Sequence, residues 1–242
     1  DGPQELTARR GVVLATGGFP FDMEMRARLY RHAPDGEGHF SPAFPGNTGD
    51  AMRISRSVDA RIVDGFEQPA AWTPISLVPR RGGGHGTFPH FIDRGKPGVI
   101  AVLPDGRRFV NEANSYHDYG TALIAAHRGE GVAESWLIAD HPTLRTYGLG
   151  HVKPAPVPLG PALRSGYLKR GRSLRTLARQ AGIDGAGLEL TVAQFNRHAR
   201  ATGEDPEFGR GTTAYNRYLG DPDNRPNPCV KPIETGPFYA IR

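Results

Sequence analysis

The chain has 242 residues, a formal net charge of +5, 32 glycines, 22 prolines and one cysteine, Cys229. This length is enough for one sizeable core, or for one domain and part of another. A single cysteine excludes an internal disulfide and a cysteine-based metal cluster, and no apolar run approaches the roughly 20 residues of a membrane-spanning helix. The basic pairs at 9–10, 80–81 and 107–108 are far apart with acidic residues between them, and the local basic run at 169–172 lacks interleaved aromatics. We therefore do not expect a nucleic-acid partner.

The first 68 residues contain three predicted elements. The β-prone run at 10–15 ends at a glycine pair and predicts a strand of a mainly parallel sheet. Residues 23–31 are expected to be helical with Asp22 as the N-cap, and residues 49–58 predict a second helix with an imperfect apolar face. Residues 35–46, which are rich in glycine and proline, predict a loop between them.

Residues 69–96 are predicted to be irregular, and a loop of this length is usually functional or mobile. Residues 99–103 and 107–111 flank the sequence Pro-Asp-Gly. Because Asp-Gly accommodates the positive φ angles of a tight turn, these two runs predict a β-hairpin.

The C-terminal half predicts a helix at 122–128, a strand at 135–139 and a strand beginning at 237. Ser173 is expected to cap a helix that Gly182 closes, and the apolar spacing from Leu188 to Ala199 predicts a second, amphipathic helix. Asp205 and Asp221 are interpreted as turn residues, because neither has calcium-loop spacing. His85 and His90 likewise lack the spacing of zinc ligands, so no metal site is predicted.

Two short glycine-containing motifs are candidates for cofactor binding. Each has a plain structural interpretation: the first is a tight turn after a strand, and the second is a helix cap. In the functional interpretation, glycine permits close backbone approach to a dinucleotide, and a helix N-terminus points at an electron-rich group. The candidate residues are Ala15, Thr16, Gly17 and Gly18 in the first motif, and Asn47, Thr48, Gly49 and Asp50 in the second.

A third, more specific motif ends at a tyrosine. It comprises Arg108, Asn111 and Glu112, with Tyr116 four residues after the glutamate. Asn111 and Glu112 could simply satisfy backbone groups at a strand end, and Tyr116 could be a half-buried aromatic residue. The order of the three motifs favours a functional role for all of them.

In this order the motifs resemble the flavoprotein family of fumarate reductases, succinate dehydrogenases and 3-ketosteroid Δ1-dehydrogenases. The resemblance implies that the two glycine motifs bind FAD and that Arg108, Asn111 and Glu112 support the substrate site. Fumarate reductases carry a proton-donating arginine where this chain has Tyr116, whereas the ketosteroid enzymes carry a tyrosine as catalytic base. The resemblance therefore implies that Tyr116 removes the C2 proton of a 3-ketosteroid while a hydride passes from C1 to the flavin.

The resemblance also implies an α+β fold. A substrate (capping) domain with a small antiparallel sheet and helices, residues 69–228, is expected between parts of an α/β FAD-binding domain, residues 1–68 and a return strand at 229–242. We expect a central part of a larger enzyme that does not retain FAD by itself. We also expect exposed apolar surface at 12–14 and 238–241.

The predicted function is FAD-dependent dehydrogenation of a small apolar ketone or steroid, with an unidentified electron acceptor and a cytoplasmic location. One alternative is a fumarate reductase, a succinate dehydrogenase or another acid dehydrogenase. Dicarboxylate chemistry needs arginines that clamp carboxylates, and Tyr116 in place of arginine argues against it. The other alternative is a non-catalytic ligand-binding module with the same fold.

Overall fold

The computed structural model describes residues 2–30, 32–33, 35–36, 38–63, 65–127 and 132–242. The chain divides into two compact units, Asp1–Pro69 and Ala70–Arg242. In the described part, no helix is long and apolar enough to cross a membrane.

The first unit contains helices α1 (Met23–Leu29) and α2 (Asp50–Ser57), which confirms both predicted helices. The Asp22 carboxylate caps α1 by accepting the backbone N–H of Met25 at 3.0 Å. Gly49, with φ of +82°, precedes α2 and has no side chain with which to cap it. Residue 31, the last of the predicted first helix, lies outside the described residues.

The predicted strand at 10–15 is wrong. These residues have no regular structure, and Val12 and Val13 are 78% and 90% exposed. A strand is held by hydrogen bonds to a neighbouring strand. The described residues of the first unit contain no strand that could provide them. The exposed apolar surface expected at 12–14 is therefore present, whereas residues 238–241 are buried.

The second unit contains six strands and six helices among its described residues. The strands are β1 (Ile75–Pro79), β2 (His85–Pro89), β3 (Val99–Val102), β4 (Trp136–Asp140), β5 (Lys169–Gly171) and β6 (Phe238–Ile241). The helices are α3 (Tyr116–Ala126), α4 (His141–Tyr147), α5 (Gly160–Arg164), α6 (Leu174–Ala181), α7 (Gly185–Ala201) and α8 (Ala214–Leu219), with a 3₁₀ turn at Asp93–Gly95. This mixture of helices and small antiparallel sheets confirms the predicted fold class.

A four-stranded antiparallel sheet in the order β3-β4-β6-β5 forms the centre of this unit. Successive side chains of a strand point to opposite sides, and here both faces of the sheet are buried because each packs into a core cluster. On β3, Ile100 joins a core cluster with residues of α6 and α7, whereas Val99 and Ala101 join a second cluster on the other face. The predicted caps of α6 are present: the Ser173 hydroxyl accepts the N–H of Thr176, and Gly182 closes the helix at φ of +73°.

The predicted hairpin at 99–111 is wrong in its second strand. The turn itself forms, since the N–H of Leu103 donates to the carbonyl of Arg107 at 2.9 Å. Residues 107–111 then leave the sheet, and side chains occupy the free edge of β3. The Glu112 carboxylate accepts the N–H of Ala101 at 3.0 Å, and the Arg210 guanidinium donates to the carbonyl of Val99. These buried charged groups satisfy the strand edge, so no second strand is needed there.

Two further expectations need correction. Residues 69–96 are not irregular, because they contain the β1–β2 hairpin, whose turn is closed by a hydrogen bond from Arg80 N–H to Gly84 O at 3.1 Å. Helix α3 begins at Tyr116, six residues earlier than predicted, because the Ser115 hydroxyl caps it by accepting the N–H of Asp118. The predicted strand near the C-terminus is present as β6, which lies between β4 and β5 in the sheet of the second unit.

Candidate active site

In the first unit, the two glycine motifs lie against each other. The N–H of Gly49 donates to the carbonyl of Gly18 at 3.1 Å, and the N–H of Phe21 donates to the carbonyl of Asn47, also at 3.1 Å. Gly17 has φ of +82°, and a Cβ atom there would lie 2.6 Å from Asn47 Oδ1. Glycine is therefore required at Gly17 for both its conformation and its close approach.

This arrangement fits a dinucleotide cofactor. Residues 15–18 are exposed, so a ligand has access to them. Because Gly49 offers no capping side chain, the first N–H groups of α2 have no side-chain partner there. Such a helix N-terminus is suited to a phosphate or another electron-rich group. Thr48 and Asp50 also contact Arg53, which donates to the Thr48 carbonyl at 2.7 Å and forms an ion pair with Asp50.

In the second unit, Arg108 is the centre of a buried ion-pair network. Its Nε and Nη2 atoms donate to the two carboxylate oxygens of Glu112 at 2.8 and 2.7 Å. Its Nη1 and Nη2 atoms donate to the two oxygens of Asp205 at 2.8 Å each. The guanidinium also lies over the rings of Phe195 and Phe208, at 5.2 and 4.8 Å from their centroids. Asp205 is therefore a buried ion-pair partner and not merely a turn residue, which corrects the sequence-based interpretation.

Glu112 joins this network to the edge of β3. Its Oε2 atom also accepts a hydrogen bond from Arg210 Nη1 at 3.0 Å, and its side chain is fully buried. Burial alone raises the pKa of Glu112, but the Arg108 and Arg210 guanidiniums and the hydrogen bonds outweigh it and hold that pKa below its ordinary value. Burial alone lowers the pKa of Arg108, but the Glu112 and Asp205 carboxylates outweigh it and raise that pKa above its ordinary value. The cluster is therefore charged at neutral pH.

Asn111 fixes the loop that follows the network. Its amide nitrogen donates to the Phe208 carbonyl at 3.2 Å and to Asn216 Oδ1 at 3.0 Å, and its Oδ1 accepts the N–H of Ala113 at 3.0 Å. Asn216 in turn donates to the carbonyl of Ala113 at 2.9 Å. Arg108, Asn111 and Glu112 are all buried. Their hydrogen bonds hold the loop at 111–115 in place.

Tyr116 begins helix α3 at the end of this loop and is half-buried. Its ring packs edge-on against Phe91, with centroids 5.3 Å apart. None of the described residues forms a hydrogen bond with its hydroxyl. Tyr119 is different: it is fully buried, its hydroxyl is 2.8 Å from Ser135 Oγ, and burial raises its pKa. Of these two tyrosines, Tyr116 is the one whose hydroxyl is left available to a ligand.

Several residues that shape this site were missed by sequence reasoning. Phe91 and Arg94 lie in the segment predicted to be irregular, and Asp205, Arg210 and Asn216 lie about a hundred residues from the motif that they support. No local spacing connects such distant residues. The sequence feature that could have pointed to them is the polar, glycine-containing stretch at 205–216, which includes Asp205, Arg210 and Asn216. Among the described residues, no group of three or more His, Cys, Asp or Glu side chains is placed to hold a metal ion.

The family model described as an FAD binding domain matches residues 1–242, and the chain belongs to this family. It is 44% identical over 240 residues to a 4-oxocyclohex-2-ene-1-carboxylate 5-dehydrogenase of Sinomonas cyclohexanicum, covering 99% of this chain and 40% of the relative. It is 32% identical over 247 residues to a 3-oxosteroid 1-dehydrogenase of Mycolicibacterium smegmatis, covering 99% and 41%.

Among solved structures, the chain resembles a 3-ketosteroid Δ1-dehydrogenase from Sterolibacterium denitrificans in complex with 1,4-androstadiene-3,17-dione. The TM-score is 0.81 at 37% identity, with 98% of this chain and 42% of that chain covered. The chain thus spans about two fifths of the length of these relatives. The flavoprotein family recognised from the three motifs is confirmed.

Proposed function

We propose that the full-length protein containing this chain is an FAD-dependent dehydrogenase that introduces a double bond beside a ring ketone. The observation that carries the proposal is the placement of Tyr116. It is half-buried, its hydroxyl is left without a partner by the described residues, and a buried network holds the loop that presents it. A C–H bond next to a ketone is acidic enough for a positioned phenolate to remove its proton.

The first unit would hold the cofactor. The backbone of Ala15, Thr16, Gly17 and Gly18 and the N-terminus of α2, with Asn47, Thr48, Gly49 and Asp50, form the binding surface in this proposal. FAD, when bound, supplies a hydride acceptor. Arg108, Asn111 and Glu112 support the substrate site by holding the loop before Tyr116, and Tyr116 takes the proton.

The substrate class follows from the relatives. Both similar enzymes are named for ring ketones, one a steroid and one a cyclohexene carboxylate. We infer an apolar ring ketone of the 3-ketosteroid type. The 44% identity to the carboxylate enzyme supports a smaller oxocyclohexane carboxylate as a second candidate. We place the enzyme in the cytoplasm, with an electron acceptor that is not yet identified.

A substrate panel tests the reaction. Anaerobic stopped-flow absorbance would follow flavin reduction by 3-ketosteroids, by 4-oxocyclohexanecarboxylate and by succinate. We expect a ring ketone to reduce the flavin faster than succinate does. Reduction by succinate, with none by any ring ketone, would reject the proposal in favour of an acid dehydrogenase. Flavin binding with no reduction by any compound of the panel would favour the non-catalytic alternative.

Tyr116→Phe tests the assignment of the base. The substitution keeps the ring packed against Phe91 and deletes the hydroxyl, so FAD binding should be retained. We expect flavin reduction at saturating substrate to slow by about 10²–10⁴-fold, the usual contribution of general-base catalysis. Tyr119→Phe is the matched control. It removes a buried hydrogen bond to Ser135 and should lower stability by about 1 kcal/mol, with little effect on the rate. A normal rate in Tyr116→Phe would show that another group is the base.

A further inference from the structure

Arg94 is a fully buried arginine that the proposed chemistry does not use directly. Its guanidinium donates to four backbone carbonyls. Nε donates to His90 at 2.7 Å, Nη2 to Phe91 at 3.4 Å, and Nη1 to Glu112 at 2.5 Å and to Asn114 at 2.8 Å. One side chain therefore joins two backbone segments, 90–91 and 112–114, that lie about twenty residues apart in the sequence.

These two segments carry the two members of one ring pair. Phe91 belongs to the first, and Tyr116 follows the second by two residues, immediately after the Ser115 cap. The Phe91 and Tyr116 rings meet edge-on at 5.3 Å and an interplanar angle of 73°. The distance between the two segments sets the position of the ring pair, and the Arg94 guanidinium spans that distance.

The first segment is also anchored from its other side. The Asp93 carboxylate pairs with His90 Nδ1 at 2.7 Å and accepts the N–H of Gly150 at 2.9 Å. This anchor fixes the backbone on both sides of Phe91. Arg94 then connects this fixed segment to the loop that leads to Tyr116.

On the basis of the proposed function, we propose that Arg94 is a positioning residue that holds Tyr116 in its reactive place through the Phe91 segment and the loop at 112–114. A guanidinium can donate hydrogen bonds to carbonyls on two sides because its five N–H donors diverge in a rigid plane. A lysine ammonium donates from a single point and does not bridge the same span. Displacement of a reacting group by about 1 Å can cost on the order of 10²-fold in rate.

Arg94→Lys is the test, and Arg145→Lys is its control. The Arg145 guanidinium also donates to a backbone carbonyl, that of Val157 at 2.8 Å, but in the described part of the chain it has no hydrogen bond with residues 90–91 or 112–114. Arg94→Lys should lower the melting temperature of the full-length holoenzyme, whereas Arg145→Lys should leave it close to that of the wild type. Only Arg94→Lys should slow flavin reduction at saturating ketone, by about 10–10²-fold, with little change in apparent substrate affinity.

Repeating Arg94→Lys in the Tyr116→Phe background separates positioning from general damage. If Arg94 acts through Tyr116, the second substitution should add little further loss of rate. Equal slowing by Arg94→Lys and Arg145→Lys, or a full multiplicative loss in the Tyr116→Phe background, would overturn the inference.

A spectroscopic measurement tests the position of Tyr116 without depending on catalytic activity. With 3-fluorotyrosine at position 116, the ¹⁹F resonance of the substrate-free protein should be a single sharp line in the wild type and in Arg145→Lys, and broadened or split in Arg94→Lys. An unchanged line in Arg94→Lys refutes the positioning role. Inactivity of the wild type toward ring ketones, with a broadened line in Arg94→Lys, rejects the proposed function alone.

If Arg94→Lys does not fold, Phe91→Leu tests the same ring pair. Phe91 is 45% exposed, so the truncation should leave the fold intact. It should broaden the fluorine line and slow flavin reduction. An unchanged line and rate would contradict the role given to the Phe91 contact and to Arg94 behind it.

Discussion

The buried Glu112 carboxylate makes the stability of this protein sensitive to a single-atom change, Glu112→Gln. Oε1 accepts from Ala101 N–H at 3.0 Å and from Arg108 Nε at 2.8 Å, and Oε2 accepts from Arg108 Nη2 at 2.7 Å and from Arg210 Nη1 at 3.0 Å. Each oxygen therefore faces two N–H donors. Whichever way the glutamine amide is turned, its NH₂ group points at two donors and leaves them without an acceptor.

The magnitude follows from this geometry. The substitution removes the shared negative charge from between two buried guanidiniums and leaves buried donors unpaired. Breaking a buried ion pair in this way costs about 3–5 kcal/mol of unfolding free energy. The matched control is Glu189→Gln, whose ion pair with Arg175 at 2.6 Å lies on the surface and is screened by solvent. It should leave stability close to that of the wild type.

The pH dependence gives a second signature of Glu112. Its folded-state pKa is lowered from 4.5, so its stabilising contribution is present above pH 4.5 and is lost as the pH falls through the lower folded value. The unfolding free energy of the wild type should therefore decline below pH 4.5, and that of Glu112→Gln should decline less. Some slope should remain, because the pKa of Asp93 is also lowered: burial raises it, but the hydrogen bond and charge of His90 outweigh that effect.

Urea unfolding of the full-length protein and both variants, at pH 7 and in steps down to about pH 3, measures these quantities. A loss below about 1 kcal/mol for Glu112→Gln, which is the range of surface ion pairs, would show that the network does not hold the loop as described. An acid-induced decline as steep in Glu112→Gln as in the wild type would refute the assignment of the titrating group.

Two further substitutions test other parts of the structure. Gly17→Ala should lower the flavin-to-protein absorbance ratio, because its Cβ would lie 2.6 Å from Asn47 Oδ1. Gly182→Ala is the control: it has a similar positive φ and no atom within 4 Å of its Cβ, so it should bind FAD as the wild type does. Equal flavin-to-protein ratios in the two variants would contradict the cofactor assignment. Asp205→Asn should lower the unfolding free energy by about 3–5 kcal/mol. Glu207→Gln is the control and should change the unfolding free energy by about 0–1 kcal/mol, because Glu207 is 3.5 Å from the same Arg108 guanidinium and its side chain is 54% exposed. Equal losses of unfolding free energy in the two variants, measured by urea unfolding, would argue against the buried pair of Arg108 and Asp205.

Local signals in the sequence were sufficient for most of the helices that it predicted. The Asp22 cap of α1, the Ser173 and Gly182 boundaries of α6 and the apolar spacing of α7 each depend on residues within a few positions of one another. The position of Tyr116 after the Asn-Glu pair also singled out that residue from the sequence. Capping and apolar periodicity depend only on residues that are close in the sequence, so helices can be predicted from them without knowledge of the fold.

Strand partners were decided only in three dimensions. The run at 10–15 has a strand-like sequence without a strand beside it, and β6 pairs with β4 although about a hundred residues separate them. The second strand of the predicted hairpin was displaced from the edge of β3 by the Glu112 and Arg210 side chains. Pairing is a competition among distant segments for buried hydrogen-bond partners, and local sequence does not encode its outcome.

The sequence by itself therefore determined the family and the class of fold, and it singled out Tyr116 as the tyrosine proposed to act as the base. The tertiary structure decided what holds that tyrosine. Arg108 and Asp205 are 97 residues apart, and Arg94 joins two segments on either side of β3. Buried charges remain in a protein only when they are paired, and their partners come from whichever parts of the chain the fold brings within hydrogen-bonding distance.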